Sequence, residues 1–458
     1  MSAYREEVAQ ALADGCRFAS LHASDQTVRA VLMARDGRPR LVEVTAPDRH
    51  IASIVDLVPA ANWDEREAAD VYGIRFGGHE PLRPLVDHDL DLGSWTVPVR
   101  GNDAYQVAVG PIHAGVIESG HFRFHVVGDR ILHLDARLFY KHRGLERAAE
   151  GANPDGGLAY AQRACAACAV SNTVAYAHAW EDALGSTPTD ELARGRTILL
   201  ELERLWSHLN DIAAICAGVG LAAGNNRFAG LTERARRLNA ALTGHRFLFH
   251  TVAVGGSNLH LDADKIAFGR AELDALRDES RSAWRELLFN ASFQARLPDV
   301  GVISSEDARL LGAVGPAARA SGLADDARAT SARLAYDGFA PVAPRRTAGD
   351  VQARLEQRAV ELLQTFEILE TLLNGPLAPA VANRGDNERA IGVGHVESPR
   401  GATVCIVERN QTRIERLRLR TGSYANWPVV AHAAAGNLLP DFPLINKSFE
   451  LCYACADR

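Results

Sequence analysis

The sequence has no apolar run long enough to cross a bilayer. Its least polar stretch, IAAICAGVGLAAG from Ile212, falls well short of the roughly 20 residues that a membrane helix needs. The start, MSAYREEVAQ, lacks the apolar h-region of a secretory signal. Positive charge is not in excess: the formal net charge is −7, which gives no electrostatic reason to bind nucleic acid or anionic lipid. No internal repeat occurs. The cysteines number seven, an odd count without any sign of secretion, so metal ligation is favoured over a disulfide framework. Together these absences predict a cytoplasmic chain in a reducing compartment.

What is present is ordinary globular material, 47% hydrophobic and 23% charged over 458 residues, more than one common core can hold. In the first hundred residues, RAVLMARDGRPRLVEV reads as two strands around a Gly-Arg-Pro turn, HIASIVDLVPA as a helical stretch, and WDEREAADVYGIRFGGHEPLR as an acidic helix running into a glycine-rich turn. A Pro- and Asp-bearing connector, LVDHDLDLGSWTVPVRG, follows. HFRFHVVGDRILHLDARLFY then alternates polar and apolar residues about Gly128-Asp129, the pattern of a β-hairpin.

Helical periodicity dominates residues 157–375. A helix from Glu191, capped by Thr189 or Asp190, carries Leu202, Leu205, Leu209, Ile212 and Cys216 on one face. A second, from Val351, carries Leu355, Ala359, Leu362, Phe366, Leu369 and Leu373 and is expected to stop in a left-handed cap at Asn374-Gly375. TVCIVERNQTRIERLRLR returns to strand alternation, so the chain is expected to close on a hairpin and a short irregular tail. The fold class is α+β: a small N-terminal α/β domain over 1–95, then a mainly helical domain over 96–458 with peripheral β-hairpins.

Two C-x-x-C pairs carry the chemistry, Cys165 with Cys168 and Cys452 with Cys455. Thiolates are soft ligands, and two intervening residues let both sulfurs of a pair reach one ion. Four sulfurs suit zinc, an iron–sulfur cluster or nickel. A zinc ribbon closes a short loop, whereas here nearly the whole helical region separates the pairs. The implied site is buried, assembled late and held by both ends. A closed structural zinc site is the alternative. Cys16, Cys216 and Cys405 read as structural.

RACAAC and CYACADR resemble the two ligand motifs of [NiFe]-hydrogenase large subunits. VGPIHAGVIESGHFRF, FYKHRGLE, LELERLWSHLNDIAAICAGVG, TGHRFLFHTVAVGG and GHVESPRG resemble the membrane-associated group 4 hydrogenases related to respiratory complex I, including its 49-kDa-type subunit. WDEREAADVYGIRFGGHEPLR is similar to the complex I 30-kDa-type subunit, fused ahead of the large subunit in the formate-hydrogenlyase type. The resemblance implies a NiFe centre, nickel and iron with cyanide and carbon monoxide, and no iron–sulfur cluster in this chain. Cys165 and Cys452 would be terminal nickel ligands, and Cys168 and Cys455 would bridge to iron. Glu118 matches the proton-relay glutamate and Arg400 the arginine over the open metal position. Glu397, His113, His121 and Arg123 have weaker cases.

The implied activity is reversible formation of H2 from protons and electrons by a catalytic subunit. Implied partners are a small subunit with a [4Fe-4S] cluster, a ferredoxin-like electron-transfer subunit and integral membrane subunits, with the chain peripheral on the inner face of the cytoplasmic membrane. The resemblance also implies cutting of a C-terminal extension near Arg458, with residues 449–458 buried. The alternative function is a non-catalytic complex-I-like coupling subunit with a structural metal or none. The chain departs from the family pattern at Ala166, Ala167, Ala169 and Asn172, where glycines and a histidine are usual, and at Glu450-Leu451, where Asp-Pro is usual.

Overall fold

The computed structural model describes every residue except 1, 25, 88, 90–94, 100, 102, 114–116, 341–345, 384, 386 and 387. Much of the expected connector lies outside the described residues. At the N-terminal side, α1 (Ala3–Ala13) packs on an antiparallel sheet of β1 (Arg17–Ala23), β2 (Thr27–Met33) and β3 (Pro39–Thr45). The strands read from RAVLMARDGRPRLVEV are β2 and β3. HIASIVDLVPA is not helical. Its first residues form β4 (His50–Ala52), which pairs in parallel with β5 (Arg75–Gly77), and Pro59 then opens a short 3₁₀ turn. Here tertiary pairing outweighs local pattern, and proline, lacking an N–H, cannot extend a helix.

Between those strands, α2 (Asn62–Tyr72) ends as expected at Gly73, whose φ of +67° forms the left-handed cap. A second antiparallel sheet follows, β6 (Tyr105–Val109), β7 (His121–Val127) and β8 (Arg130–Arg137), with the hairpin turn at Gly128-Asp129. Next come α3 (Leu145–Ala148), α4 (Pro154–Arg163), α5 (Ala169–Ala183), α6 (Asp190–Gly218), α7 (Ala222–Thr243), α8 (Ala263–Leu288) and α9 (Val351–Leu372). The Thr189 hydroxyl caps α6 by accepting from the Leu192 amide, and its apolar stripe from Leu202 to Cys216 is fully buried against α7 and α9.

The end of α9 differs from expectation, because neither Asn374 nor Gly375 adopts left-handed backbone. Side chains do the capping instead. Arg194 donates to the carbonyls of Leu372 and Gly375, and Arg270 donates to that of Leu373. These guanidinium groups satisfy carbonyls that a helix end leaves open and oppose its negative pole.

A third antiparallel sheet, β9 (Ile391–Ser398), β10 (Gly401–Asn410) and β11 (Arg413–Arg420), lies with β9 against α5. Val393, Val404 and Ile406 of this sheet meet Ala19, Val31 and Met33 of the first, joining the N-terminal unit to the rest. The tail is not irregular: α10 (Gly422–Ala434), α11 (Phe442–Phe449) and α12 (Tyr453–Asp457) end the chain. Apolar pattern was weak there because Phe442, Ile445, Phe449, Trp427 and Tyr453 pack into a core shared with β7 and β8, which short windows do not reveal.

Close approach of β9 to α5 depends on two glycines. A Cβ at Gly394 would lie 1.9 Å from the Ala175 carbonyl oxygen, and one at Gly392 would lie 2.0 Å from that of Ala179. Both obstacles are backbone, so neither can swing aside. Gly394→Ala is therefore expected to destabilise by about 1–3 kcal/mol or more, whereas Gly230→Ala, in open space on α7, should be neutral or slightly stabilising because alanine favours helix by up to about 1 kcal/mol. Thermal denaturation of the two variants checks this. Equal midpoints would mean that β9 yields.

Candidate metal centre

The first cysteine pair sits where α4 gives way to α5. Cys165 precedes a single 3₁₀ turn, Ala166–Cys168, and α5 starts at Ala169. That start is fixed from α6: the Glu203 carboxylate accepts from the amides of Val170 and Ser171 at 2.7 and 3.1 Å, and also from the Ser171 hydroxyl. Burial pushes the Glu203 carboxyl up to about 7 despite those donors. The second pair sits on α12, with Cys452 immediately before it and Cys455 within it.

All four sulfurs lie within 4.8 Å of one another, with Cys165, Cys168 and Cys455 buried and Cys452 half-buried. The structure therefore brings together the two pairs that the sequence separates. Hydrogen bonds from Cys165, Cys168 and Cys455 hold the Cys452 thiol well below its ordinary value, with Arg400 adding to the effect. Bonds among the thiols, followed by burial, push Cys168 and Cys455 well above theirs. Four sulfurs crowded together in this way form a donor set whose protons a bound cation would displace.

The donor set fits a soft metal centre. Asn172 adds to this, since it is fully buried one helical turn beyond Cys168 and neither its Oδ1 nor its Nδ2 has a protein partner. A buried amide without partners is costly, and a group beside the sulfurs would answer that cost.

Arg400 is buried: its Nη2 lies 3.0 Å from Asp211 Oδ1, and its Nε donates to the Glu450 carbonyl at 3.0 Å. Burial opposes its charge, but Asp211 and the Cys452 and Cys168 thiols more than offset this. Glu118, half-buried, accepts from the Ala454 amide at 2.8 Å, between the two tail cysteines. Its recorded partner is thus backbone of the ligand turn. Glu118 and Glu450 share a cleft of about 210 Å³ with Lys447 and Tyr453.

The weaker candidates have other tasks. The His113 and His121 imidazoles bond to the carbonyls of Gly120 and Gly110 and hold their own turn. Residues 114–116 of that motif lie outside the described residues. Glu397 belongs to a buried ion cluster that reaches Asp211 through Arg319, Glu361 and His208, and it accepts from Arg319 at 2.9 Å and from the Ala327 amide at 3.1 Å.

Sequence reasoning missed the groups that grip the tail. Arg354 donates to the Ser448 hydroxyl at 2.9 Å and Arg358 to the Phe449 carbonyl at 2.8 Å. The Cys452 amide donates to Ser423 Oγ at 3.0 Å, and the Thr421 hydroxyl to the Cys455 carbonyl at 3.2 Å. The Phe139 and Lys141 amides donate to the Asp457 carboxylate at 2.8 and 2.9 Å. Arg143 spans both pairs, donating to the carbonyls of Arg163, Ala164 and Ala454 at 2.9, 2.8 and 3.5 Å. Asp211 lies off the apolar stripe of α6, where an acid reads as solvent-facing, yet it is fully buried, so no local pattern marks it. Residues 449–458 are buried or half-buried, as expected.

Among known families, the model of the respiratory-chain NADH dehydrogenase 49 Kd subunit matches residues 226–386 and 383–458, and that of the 30 Kd subunit matches residues 2–102. Formate hydrogenlyase subunit 5 of Escherichia coli (strain K12) is 32% identical over 450 residues, spanning 91% of this chain and 78% of that protein. Hydrogenase-4 component G of the same organism is 30% identical, over 91% of this chain and 77% of that one. A chain in the solved membrane-bound sulfane sulfur reductase, an archaeal respiratory membrane complex, matches with a TM-score of 0.72 at 26% identity, over 79% of this chain and 100% of that one. With its four cysteines and its fused 30-kDa-like segment, the chain belongs to the complex-I-related group 4 [NiFe]-hydrogenase large-subunit family, in its formate-hydrogenlyase type.

Proposed function

We propose that the chain is the catalytic subunit of a membrane-associated [NiFe]-hydrogenase, interconverting two protons and two electrons with H2 and working towards H2 evolution. The observation that carries this reading is the convergence of four cysteine sulfurs within 4.8 Å, with a buried arginine at the same place. Cys165, Cys168, Cys452 and Cys455 would together hold the nickel–iron centre. When bound, the nickel–iron centre supplies heterolytic formation and cleavage of H2.

The residues around it then have definite tasks. Glu118 accepts and releases the proton at its carboxylate, from a half-buried position that opens onto the cleft it shares with Glu450. Arg400, fixed by Asp211 and the Glu450 carbonyl, holds a positive charge against the thiolates where a flexible cation would wander. Burial of the sulfurs keeps bulk water away from the reacting position.

Electrons would come from a small subunit with a [4Fe-4S] cluster and a ferredoxin-like subunit, with integral membrane subunits as anchors at the inner face of the cytoplasmic membrane. This is supported by the hydrogenase names of the relatives and by the respiratory membrane complex among solved structures. No helix among the described residues is long and apolar enough to cross a membrane, which accords with peripheral attachment. We place the division between the fused units near residue 95.

Elemental analysis of this chain, isolated from its iron–sulfur partners, should give nickel and iron in equal amounts, and Cys168→Ser should lose both. Zinc alone would support the coupling-subunit alternative. Glu118→Gln should keep the metals but lose most hydrogen–deuterium exchange, because an amide accepts no proton at working pH. Exchange at the parent rate would remove Glu118 from the mechanism.

Arg400→Lys should assemble with its metals and lose activity by about 10²–10³-fold, the scale of losing a preorganised electrostatic contact. Turnover close to that of the parent would make Arg400 structural.

A further inference from the structure

The helix that carries Cys455 is tied to the N-terminal unit through Arg458. This arginine is 1% exposed, and it belongs to a buried cluster of three cations and three carboxylates. The cations are Arg418 and Arg420, both on β11, and Arg458. Their guanidinium carbons lie 5.2, 5.6 and 4.8 Å from the Tyr424 ring centroid. The carboxylates are Asp64 and Glu67 on α2 and Glu146 on α3. Arg458 Nη2 lies 2.5 Å from Glu67 Oε1, and its Nη1 lies 3.3 Å from Glu146 Oε1 and donates to the Leu419 carbonyl at 2.8 Å. Arg418 shares Glu67 at 2.8 Å and reaches Asp64 at 3.0 Å, and Arg420 meets Asp64 at 3.0 Å.

The charges balance only when all four segments, β11, α2, α3 and the tail, are present. Remove α2 and two of the three carboxylates go with it, leaving buried guanidinium groups without counterions. Arg458 lies three residues beyond Cys455, at the end of a helix of one turn and a little more, so a guanidinium held on α2 fixes the roll and depth of both tail cysteines. A cavity of about 260 Å³ lined by Asp64, Glu67, Glu146 and Arg418 adjoins the cluster, so this seam is where the tail and α2 can separate without unpacking the helical core.

We propose that Glu67 is a positioning residue for the four-cysteine centre: acting through Arg458, it latches the tail so that Cys452 and Cys455 stay against Cys165 and Cys168. The N-terminal unit is then part of the centre's second half, although it contributes no ligand. The inference rests on the metal-centre reading only for its consequence in metal retention, and the latch itself is read on the metal-free chain.

The test is hydrogen exchange on the full-length chain without metal. Glu67→Gln should speed exchange of amides 453–458 by about tenfold or more, with α6 and β1–β3 at parent rates, since a latch controls local opening and not global unfolding. Glu67→Asp should recover part of the protection. Arg458→Met should have the reciprocal effect on α2, and Glu67→Gln combined with Arg458→Met should open the tail no further than Arg458→Met alone, because Glu67 acts on the tail through that arginine. In the metal-loaded protein, Glu67→Gln should release nickel faster than the parent. Parent-rate exchange at 453–458 in Glu67→Gln, additive effects in the double variant, or loss of protection spread over the whole chain would each overturn the latch. If Glu67→Gln does not fold, Arg458→Met with an unchanged tail overturns it equally. Absence of nickel and iron from the parent would strike the proposed function and leave the exchange result standing.

Discussion

A tail that carries two cysteines of a candidate metal centre into a protein interior brings its polar peptide groups with it, and burial without partners costs roughly 1–3 kcal/mol for each group. Nearly everything around the four sulfurs answers this constraint. Arg354, Arg358 and Arg400 take the Ser448 hydroxyl and the Phe449 and Glu450 carbonyls in succession. Ser423, Glu118 and Thr421 then serve Cys452, Ala454 and Cys455. Arginine suits the task because one planar guanidinium can donate to a carbonyl and a carboxylate at once, and it keeps its charge when buried.

Those arginines create a second requirement, since a buried cation needs a counterion. Asp211 meets it twice, facing Arg400 at 3.0 Å and Arg358 at 3.0 Å from the long helix α6. Burial pushes the Asp211 carboxyl up, but Arg400 and then Arg358 hold it below the usual range. Removing Asp211 would therefore disturb two grips on the tail together. The same helix supplies Glu203 to the start of α5, so both cysteine pairs are referenced to one rigid rod. Glycines 392 and 394 complete the arrangement by letting β9 press on α5 from the other side.

The parts legible in the sequence were those in which a residue's role follows from its near neighbours. Thr189 three residues ahead of Leu192, the alternation about Gly128-Asp129, and Gly73 after an acidic helix each carry their explanation within one turn of chain. The C-x-x-C pairs were legible as one soft donor set because there are two of them, and their four sulfurs do converge. What could not be read depends on distant partners. HIASIVDLVPA has helical spacing, yet His50–Ala52 pairs with Arg75–Gly77. The α9 terminus was assigned to Asn374-Gly375, but arginines from α6 and α8 cap it. No local pattern announces that Arg143 will hold both cysteine pairs or that Arg458 will find Glu67.

The departures from the family motif can be weighed by what each position contributes. Glu450 and Leu451 stand where Asp-Pro is usual, yet the grip of Arg400 there falls on the Glu450 main-chain oxygen, which any residue supplies. The backbone at Glu450 has a φ of +48°, a left-handed conformation that ends α11. Its side chain turns towards Lys447 at 3.8 Å and Asn210 at 3.5 Å, at the cleft that Glu118 also lines. The replacement therefore leaves the main-chain contact of Arg400 available and places a longer carboxylate at the cleft. Asn172 is the opposite case, because here the side chain itself matters: it is buried one helical turn beyond Cys168 with both polar atoms unpaired in the protein. Of the two departures, the one at Asn172 bears on the centre directly, while the one at Glu450 bears on what surrounds it.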